Sequence, residues 1–87
     1  MEVTYTKKAL KDLSYWKKKG DRSVQKRITK LITGIEDDPF AGIGKPEALK
    51  YDLSGFWSRR INKEHRIVYK VYEEKKGIEI HSLKGHY

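Results

Sequence analysis

Gly44 to Tyr72, GKPEALKYDLSGFWSRRINKEHRIVYKVY, is the stretch around which the rest of the chain is arranged. Phe56 to Ile61 and His65 to Tyr72 are rich in aromatic and β-branched residues, and the polar Asn62-Lys63-Glu64 between them reads as a hairpin loop. Side chains alternate along a strand, so pairing Ile61 with His65 sets Arg60 opposite Arg66 on one face. Like charges facing across a ladder are unfavourable, by a few tenths of a kcal/mol up to roughly 1 kcal/mol. An anion should therefore sit between them. Phosphate fits best, because the guanidinium fork matches its oxygens in pairs.

The flanking sequence is read outward from this hairpin. Upstream, Glu47 to Leu53 is expected to be a strand, with Ser54-Gly55 a turn into Phe56. Pro39 to Pro46 holds two Gly and two Pro in eight residues and reads as a loop, with Phe40 plugging the core beneath it. Its glycines do not make a phosphate-binding P-loop, since no Gly-Lys-Ser/Thr follows. Before it, Asp21 caps a helix in which Val24, Ile28, Leu31, Ile32 and Ile35 recur at helical spacing until Asp37-Asp38-Pro39. Thr6 caps an earlier helix running to about Lys19 with Ala9, Leu10, Leu13 and Trp16 on one face, and Gly20 ends it. The short link makes the two helices an antiparallel pair. Glu2 to Tyr5 is a short strand. Downstream, Glu73 to Gly77 is a turn, and a last alternating strand from Ile78 brings His86 and Tyr87 to the sheet. The expected class is α+β, with two N-terminal helices packed on a mainly antiparallel sheet.

The 87 residues allow one domain, residues 1–87, burying about 60–65% of its unfolded surface around one core. A formal net charge of +8 points to a polyanionic partner, nucleic acid before membrane surface. No apolar run approaches the ~18 residues of a membrane span, and the N-terminus lacks a signal-peptide layout, so a cytosolic protein without membrane contact is expected. With no cysteine there is no disulfide and no thiolate site. No His/Asp/Glu cluster has metal-ligand spacing, so metal and cofactor are not expected. The charge is uneven: residues 1–35 hold 10 Lys/Arg against 3 Asp/Glu, whereas residues 36–87 hold 10 against 9. Lys7, Lys11, Lys18, Lys26 and Lys30 are accordingly candidates for docking on a large polyanion such as ribosomal RNA, the plainer reading being a solvated helix face.

Cleaving RNA through its own 2′-hydroxyl needs a base, cations for the charge building on the phosphoryl oxygens, and an acid for the departing 5′-oxygen. Glu47, between Lys45 and Lys50, is the candidate base. Lys50, Arg60 and Arg66 are candidate phosphate ligands, and Arg59, of opposite parity to Arg60, faces away or binds phosphate elsewhere. His86 is the candidate acid, and Tyr87 could stack on a base or assist proton donation. Each also has a structural reading: Glu47 as a surface ion-pair partner, His65 and His81 as packing residues, and the His-Tyr terminus as a tail.

Asp38-Pro39-Phe40, Gly44-Lys45-Pro46-Glu47, Leu49-Lys50, Leu53-Ser54-Gly55, Trp57-Ser58-Arg59-Arg60-Ile61, Glu64-His65-Arg66, Val68-Tyr69 and His86-Tyr87 occur in register along nearly the whole chain. This combination closely resembles the YoeB/Txe toxins of the RelE superfamily. The resemblance implies a microbial-ribonuclease-like (RelE-like) fold and a metal-independent mRNA interferase that cleaves messenger RNA in the ribosomal A site. It also implies neutralisation by a YefM-type antitoxin, and it permits a homodimer. On it, Glu47 is the general base and His86 the general acid, Arg66 with Lys50 and Arg60 steadies the phosphate, and Tyr87 completes the site. Ala48, where many members carry Pro, and a slightly long Glu73 to Gly77 turn are the departures. Two other functions remain open: a non-catalytic toxin on the same scaffold, like the ParE-type gyrase inhibitors, which would not need the acid/base pair, and a basic RNA-binding module, which would want its aromatics exposed.

Overall fold

The computed structural model describes residues 2–85. His86 and Tyr87, the expected acid and its neighbour, lie outside the described residues. Helices α1 (Lys7–Lys19) and α2 (Arg22–Asp37) begin and end where their caps require. Thr6 Oγ1 accepts the Ala9 N–H at 3.1 Å and donates to the His81 carbonyl at 2.8 Å, tying the start of α1 to the sheet. Gly20, at φ 72°, donates its N–H to the Trp16 and Lys17 carbonyls and stops the helix. Asp21 then accepts the Val24 N–H at 3.1 Å.

Both helices bury one stripe. Val24, Ile28, Leu31 and Ile35 of α2 lie in the core as expected. On α1 the inner stripe is Ala9, Asp12 and Trp16 with Leu13 partly buried, whereas Leu10 is 54% exposed. The expected place of Leu10 on that face is therefore corrected. Each residue turns the helix by about 100°, so positions 9, 12, 13 and 16 share a face that position 10 leaves. Asp12 can be inside because its carboxylate accepts from Lys8 Nζ at 2.9 Å and from the Leu83 N–H at 2.8 Å.

The helices cover one face of a five-stranded sheet formed by β1 (Glu2–Tyr5), β2 (Glu47–Ala48), β3 (Phe56–Arg60), β4 (Arg66–Tyr72) and β5 (Gly77–Ser82). The spatial order is β1-β5-β4-β3-β2, with β1 parallel to β5 and every other pair antiparallel. Ile67, Tyr69, Ile78 and Ile80 face the helices. Asn62 shapes the central hairpin by accepting the N–H groups of Glu64 and His65 at 2.9 and 2.8 Å. The Ile61 N–H meets the His65 carbonyl at 2.9 Å, and Arg60 pairs with Arg66 as the hairpin reading requires.

Three expectations, two upstream of the hairpin and one within it, are corrected. The strand expected over Glu47 to Leu53 is only two residues long and gives way to a 3₁₀ turn at Tyr51–Leu53. Tyr51 lies at φ 58°, and the Leu53 and Ser54 N–H groups bond back to Lys50 and Tyr51 instead of to a ladder. Phe40 does not plug the core: it is 43% exposed and leans on the Trp57 ring at 5.1 Å. The buried anchor of that loop is instead Arg59, which is fully buried. Its Nη1 donates to Ile43 O at 3.1 Å, Nη2 to Ala41 O at 3.0 Å and also to Asp38 O, and Nε to the Tyr69 hydroxyl at 3.1 Å. Arg59 is therefore not a phosphate ligand, since its fork is occupied by protein oxygens.

The Tyr69 hydroxyl donates in turn to Pro39 O at 2.6 Å. Burial raises the Tyr69 pKa above its ordinary value, with Arg59 pulling the other way, and the phenol thus remains a donor. Gly44 closes the loop against this cluster at φ 84°. A β-carbon there would stand 2.6 Å from Leu31 Cδ2 and 3.0 Å from Arg59 Cβ, so only glycine fits. Its carbonyl accepts the Arg60 N–H at 2.7 Å, which delivers the chain to Glu47.

Candidate functional site

The sheet face turned away from the helices carries the proposed chemistry. Along β3 it presents Phe56, Ser58 and Arg60, and along β4 Arg66, Val68 and Lys70, because these are the direct cross-strand partners. Glu47 pairs with Ser58 and so projects on the same face. Ser58 and Arg60 are two residues apart, placing the Glu47 row about 7 Å along the strands from the Arg60–Arg66 row. The Glu47 carboxylate thus lies one row from a pair of guanidinium groups, with Ser58 and Val68 of its own row fully buried.

The imbalance of charge is local to the Arg60–Arg66 pair, since farther along the face Glu79 stands opposite Lys70. Among the described residues the ion pairs are Lys8–Asp12 and Glu64–His65, so Glu47, Arg60 and Arg66 hold none. Arg60 is exposed and Arg66 half-buried, and they face each other with no carboxylate between them. Lys50 is exposed where the chain leaves β2 for the 3₁₀ turn, next to the edge that carries Glu47.

The helix cations occupy a different surface. Lys7, Lys11, Lys18, Lys26 and Lys30 are all exposed. On the outer side of α2 a shallow depression is lined by Lys26, Arg27 and Lys30 together with Ser23, Gln25, Thr29 and Thr33. Arg27 Nη2 reaches the Arg60 carbonyl at 3.5 Å, so this basic surface borders the central hairpin.

Residues the sequence reading left without a role hold the end of the described chain at this face. Trp16, buried in the core as expected, donates its Nε1–H to the Leu83 carbonyl at 2.9 Å. The Arg66 N–H donates to the Gly85 carbonyl at 2.9 Å, and His65 Nδ1 accepts the Gly85 N–H at 3.0 Å. These contacts join residues 67, 19 and 20 positions apart, beyond the reach of any local pattern.

A βαα unit followed by a meander, its first strand lying parallel to its last, defines a small RelE-like α+β protein. The family model described as "YoeB-like toxin of bacterial type II toxin-antitoxin system" matches residues 5–87, and the chain belongs to that family. Toxin YoeB of Streptomyces coelicolor is 51% identical over 74 residues, covering 85% of this chain and 87% of that protein. The "YoeB/ParE toxin from Agrobacterium tumefaciens" superposes with a TM-score of 0.93 at 39% identity, each chain covered completely. A YoeB of Staphylococcus aureus, solved as a dimer and as a heterotetrameric complex of toxin with YefM antitoxin, is 41% identical. Its TM-scores are 0.87 and 0.86, and the match covers all of this chain and 98% of that one. No helix among the described residues is long and apolar enough to cross a membrane.

Proposed function

We propose that the chain is a ribosome-dependent endoribonuclease that cleaves messenger RNA in the A site. The observation that carries this reading is the Arg60–Arg66 couple, without an ion-pair partner among the described residues, beside Glu47 on one face, with Gly85 bonded to the Arg66 backbone. Glu47 takes the proton of the 2′-hydroxyl, and O2′ attacks the adjacent phosphorus. The P–O5′ bond breaks as His86 gives its proton to O5′, leaving a 2′,3′-cyclic phosphate and a 5′-hydroxyl. Arg66, Arg60 and Lys50 hold the phosphoryl oxygens while negative charge builds on them. Tyr87 completes the site beside His86. These roles are filled by side chains, and the reaction calls for no metal or cofactor.

The helix cations supply affinity for ribosomal RNA, away from the scissile phosphate. A YefM-type antitoxin neutralises the toxin, as the complex of the Staphylococcus aureus relative suggests, and a dimer like that relative's is a further assembly. The place of action is the cytoplasm, where translating ribosomes are. The test is to map 5′ ends of cellular mRNA after brief expression. Cuts in register with the reading frame, lost in Glu47→Ala, are expected; an uncut transcriptome with arrested growth would favour a non-catalytic inhibitor.

A further inference from the structure

Tyr51 is 91% exposed, whereas no other large apolar or aromatic side chain among the described residues exceeds the 54% of Leu10. It stands at the tip of the hairpin between β2 and β3, which the Leu49 N–H closes on the Phe56 carbonyl at 2.9 Å. Backbone alone holds that tip: the Leu53 N–H reaches Lys50 O at 3.1 Å, and the Ser54 N–H reaches Tyr51 O at 3.0 Å. Phe40 leans on Trp57 and Tyr15 on Trp16, but the Tyr51 side chain meets no ring, cation or hydrogen-bond partner among the described residues.

Nothing in the fold asks for tyrosine at this position. The residue sits at φ 58°, a left-handed backbone that glycine or asparagine adopts with less strain. Folding therefore favours a small residue here, and a ring left in water returns no burial. A strained residue whose side chain the core does not use points to a partner outside the chain. Lys45, at φ 55°, is a second left-handed residue on the other side of Glu47, so the two bracket the segment that carries Glu47 and Lys50.

The order of groups along β3 defines that partner. The Arg60–Arg66 row comes first, then the Ser58–Glu47 row, then the closure of Leu49 on Phe56, with Tyr51 beyond it. Tyr51 is four residues from Glu47, so their Cα atoms are at most ~14 Å apart. With the scissile phosphate at the arginines and the attacking 2′-hydroxyl at Glu47, nucleotides on the 5′ side of that phosphate run toward Tyr51. An exposed phenol ring beside the exposed Lys50 suits single-stranded RNA, because the ring stacks on a base while the ammonium takes backbone charge. An acidic segment of a protein partner would engage Lys50 and leave the face of the ring unused.

We propose that Tyr51 is a base-stacking residue whose ring receives a base of the message on the 5′ side of the scissile phosphate. The direction of the strand rests on the ribonuclease reading above. Stacking on an aromatic ring contributes about 5–150-fold in affinity per base and accepts every base, so Tyr51 adds grip without sequence preference.

The test measures affinity of the whole protein for ribosomes programmed with a message that is 2′-O-methylated at the A codon, which blocks the attack. One nucleotide at a time is made abasic across and around that codon. Tyr51→Gly removes the ring and suits the backbone, so it should melt within about 3 °C of the parent. Tyr51→Trp keeps a stacking face. The parent should lose ~5–150-fold in affinity when one base on the 5′ side is missing, and Tyr51→Trp should behave alike. Tyr51→Gly should be weaker on the intact message by a similar factor and indifferent to that abasic position. Parental affinity of Tyr51→Gly for the intact message would overturn the proposal and leave the ring to a protein partner. Equal weakening of Tyr51→Gly on every message would assign the ring to ribosomal RNA, and coupling to a base on the 3′ side would reverse the strand; either overturns it. Base coupling in a parent that cleaves no unmethylated message would refute the ribonuclease reading and uphold the stacking.

Discussion

Arg59→Met should unfold the protein at markedly lower temperature, while Arg60→Met, one residue along the same strand, should not. The guanidinium of Arg59 is fully buried and donates to three loop carbonyls and the Tyr69 hydroxyl. Removing it strands those acceptors, and each acceptor left without a donor in the interior costs about 1–3 kcal/mol. The exposed loop, Ala41 to Ile43, can turn some of its carbonyls to water, so the net loss is taken as ~3–5 kcal/mol. For a domain this small that is roughly 15–30 °C in melting temperature. Arg59→Lys should recover little, because a single ammonium cannot reach carbonyls spread around a planar fork. Arg60→Met removes one of two facing cations and should change stability by no more than about 0.5 kcal/mol, in either direction. Thermal unfolding followed by far-ultraviolet circular dichroism reads all three. An Arg59→Met protein melting within about 3 °C of the parent would refute the buried-clamp account.

Arg66→Ala should slow single-turnover cleavage by ~10²–10³-fold and Arg60→Ala by less, because Arg66 is the half-buried one of the pair, and a preorganised donor is worth most where water is excluded; equal effects on ribosome affinity alone would make both docking residues. Replacing Lys18, Lys26 and Lys30 together with Gln should flatten the salt dependence of ribosome binding by about 2–3 units of slope, leaving bound complexes to react at the parental rate. An unaltered slope would reduce these helices to a solvated face. Alkaline stability should depend on Tyr69: its pKa is raised in the folded state, so the unfolded chain loses the phenolic proton first and stability falls as pH rises above about 10. Tyr69→Phe should be less stable at neutral pH yet lose less between pH ~9 and ~11; a parental slope in that variant would move the effect to Tyr5, whose pKa burial also raises.

What was legible in the chain was whatever local rules dictate. Thr6, Gly20 and Asp21 mark helix ends through their own side chains or backbone freedom, and the Arg60–Arg66 register follows from counting across a short loop. Failures occurred where tertiary context overrides residue type. Parity correctly separated Arg59 from Arg60, but a charged residue type suggested solvent, and only the returning loop carbonyls make its burial favourable. Asp12 takes an inner position for a similar reason, its partner being the Leu83 amide far along the chain. Glu47 to Leu53 alternates like a strand, yet it lies at the sheet edge, where one partner and the left-handed Tyr51 let the chain turn away after two residues. Of the site, the shared face of Arg60 and Arg66 was readable, whereas the place of Glu47 on that face follows only from its pairing with Ser58. The grip of Asp12, Trp16 and His65 on Leu83 and Gly85 was not, because no sequence period links positions so far apart.

The central claim is that Glu47 starts a 2′-hydroxyl attack on a phosphate held by Arg60 and Arg66. The most direct measurement is single-turnover reaction with mRNA-programmed ribosomes, with the product ends identified chemically. The account predicts a 2′,3′-cyclic phosphate and a 5′-hydroxyl from the parent protein, and a rate at least ~10²-fold lower for Glu47→Ala at unchanged ribosome affinity. Products ending in a 3′-hydroxyl and a 5′-phosphate, or a Glu47→Ala protein cleaving at the parental rate, would contradict it.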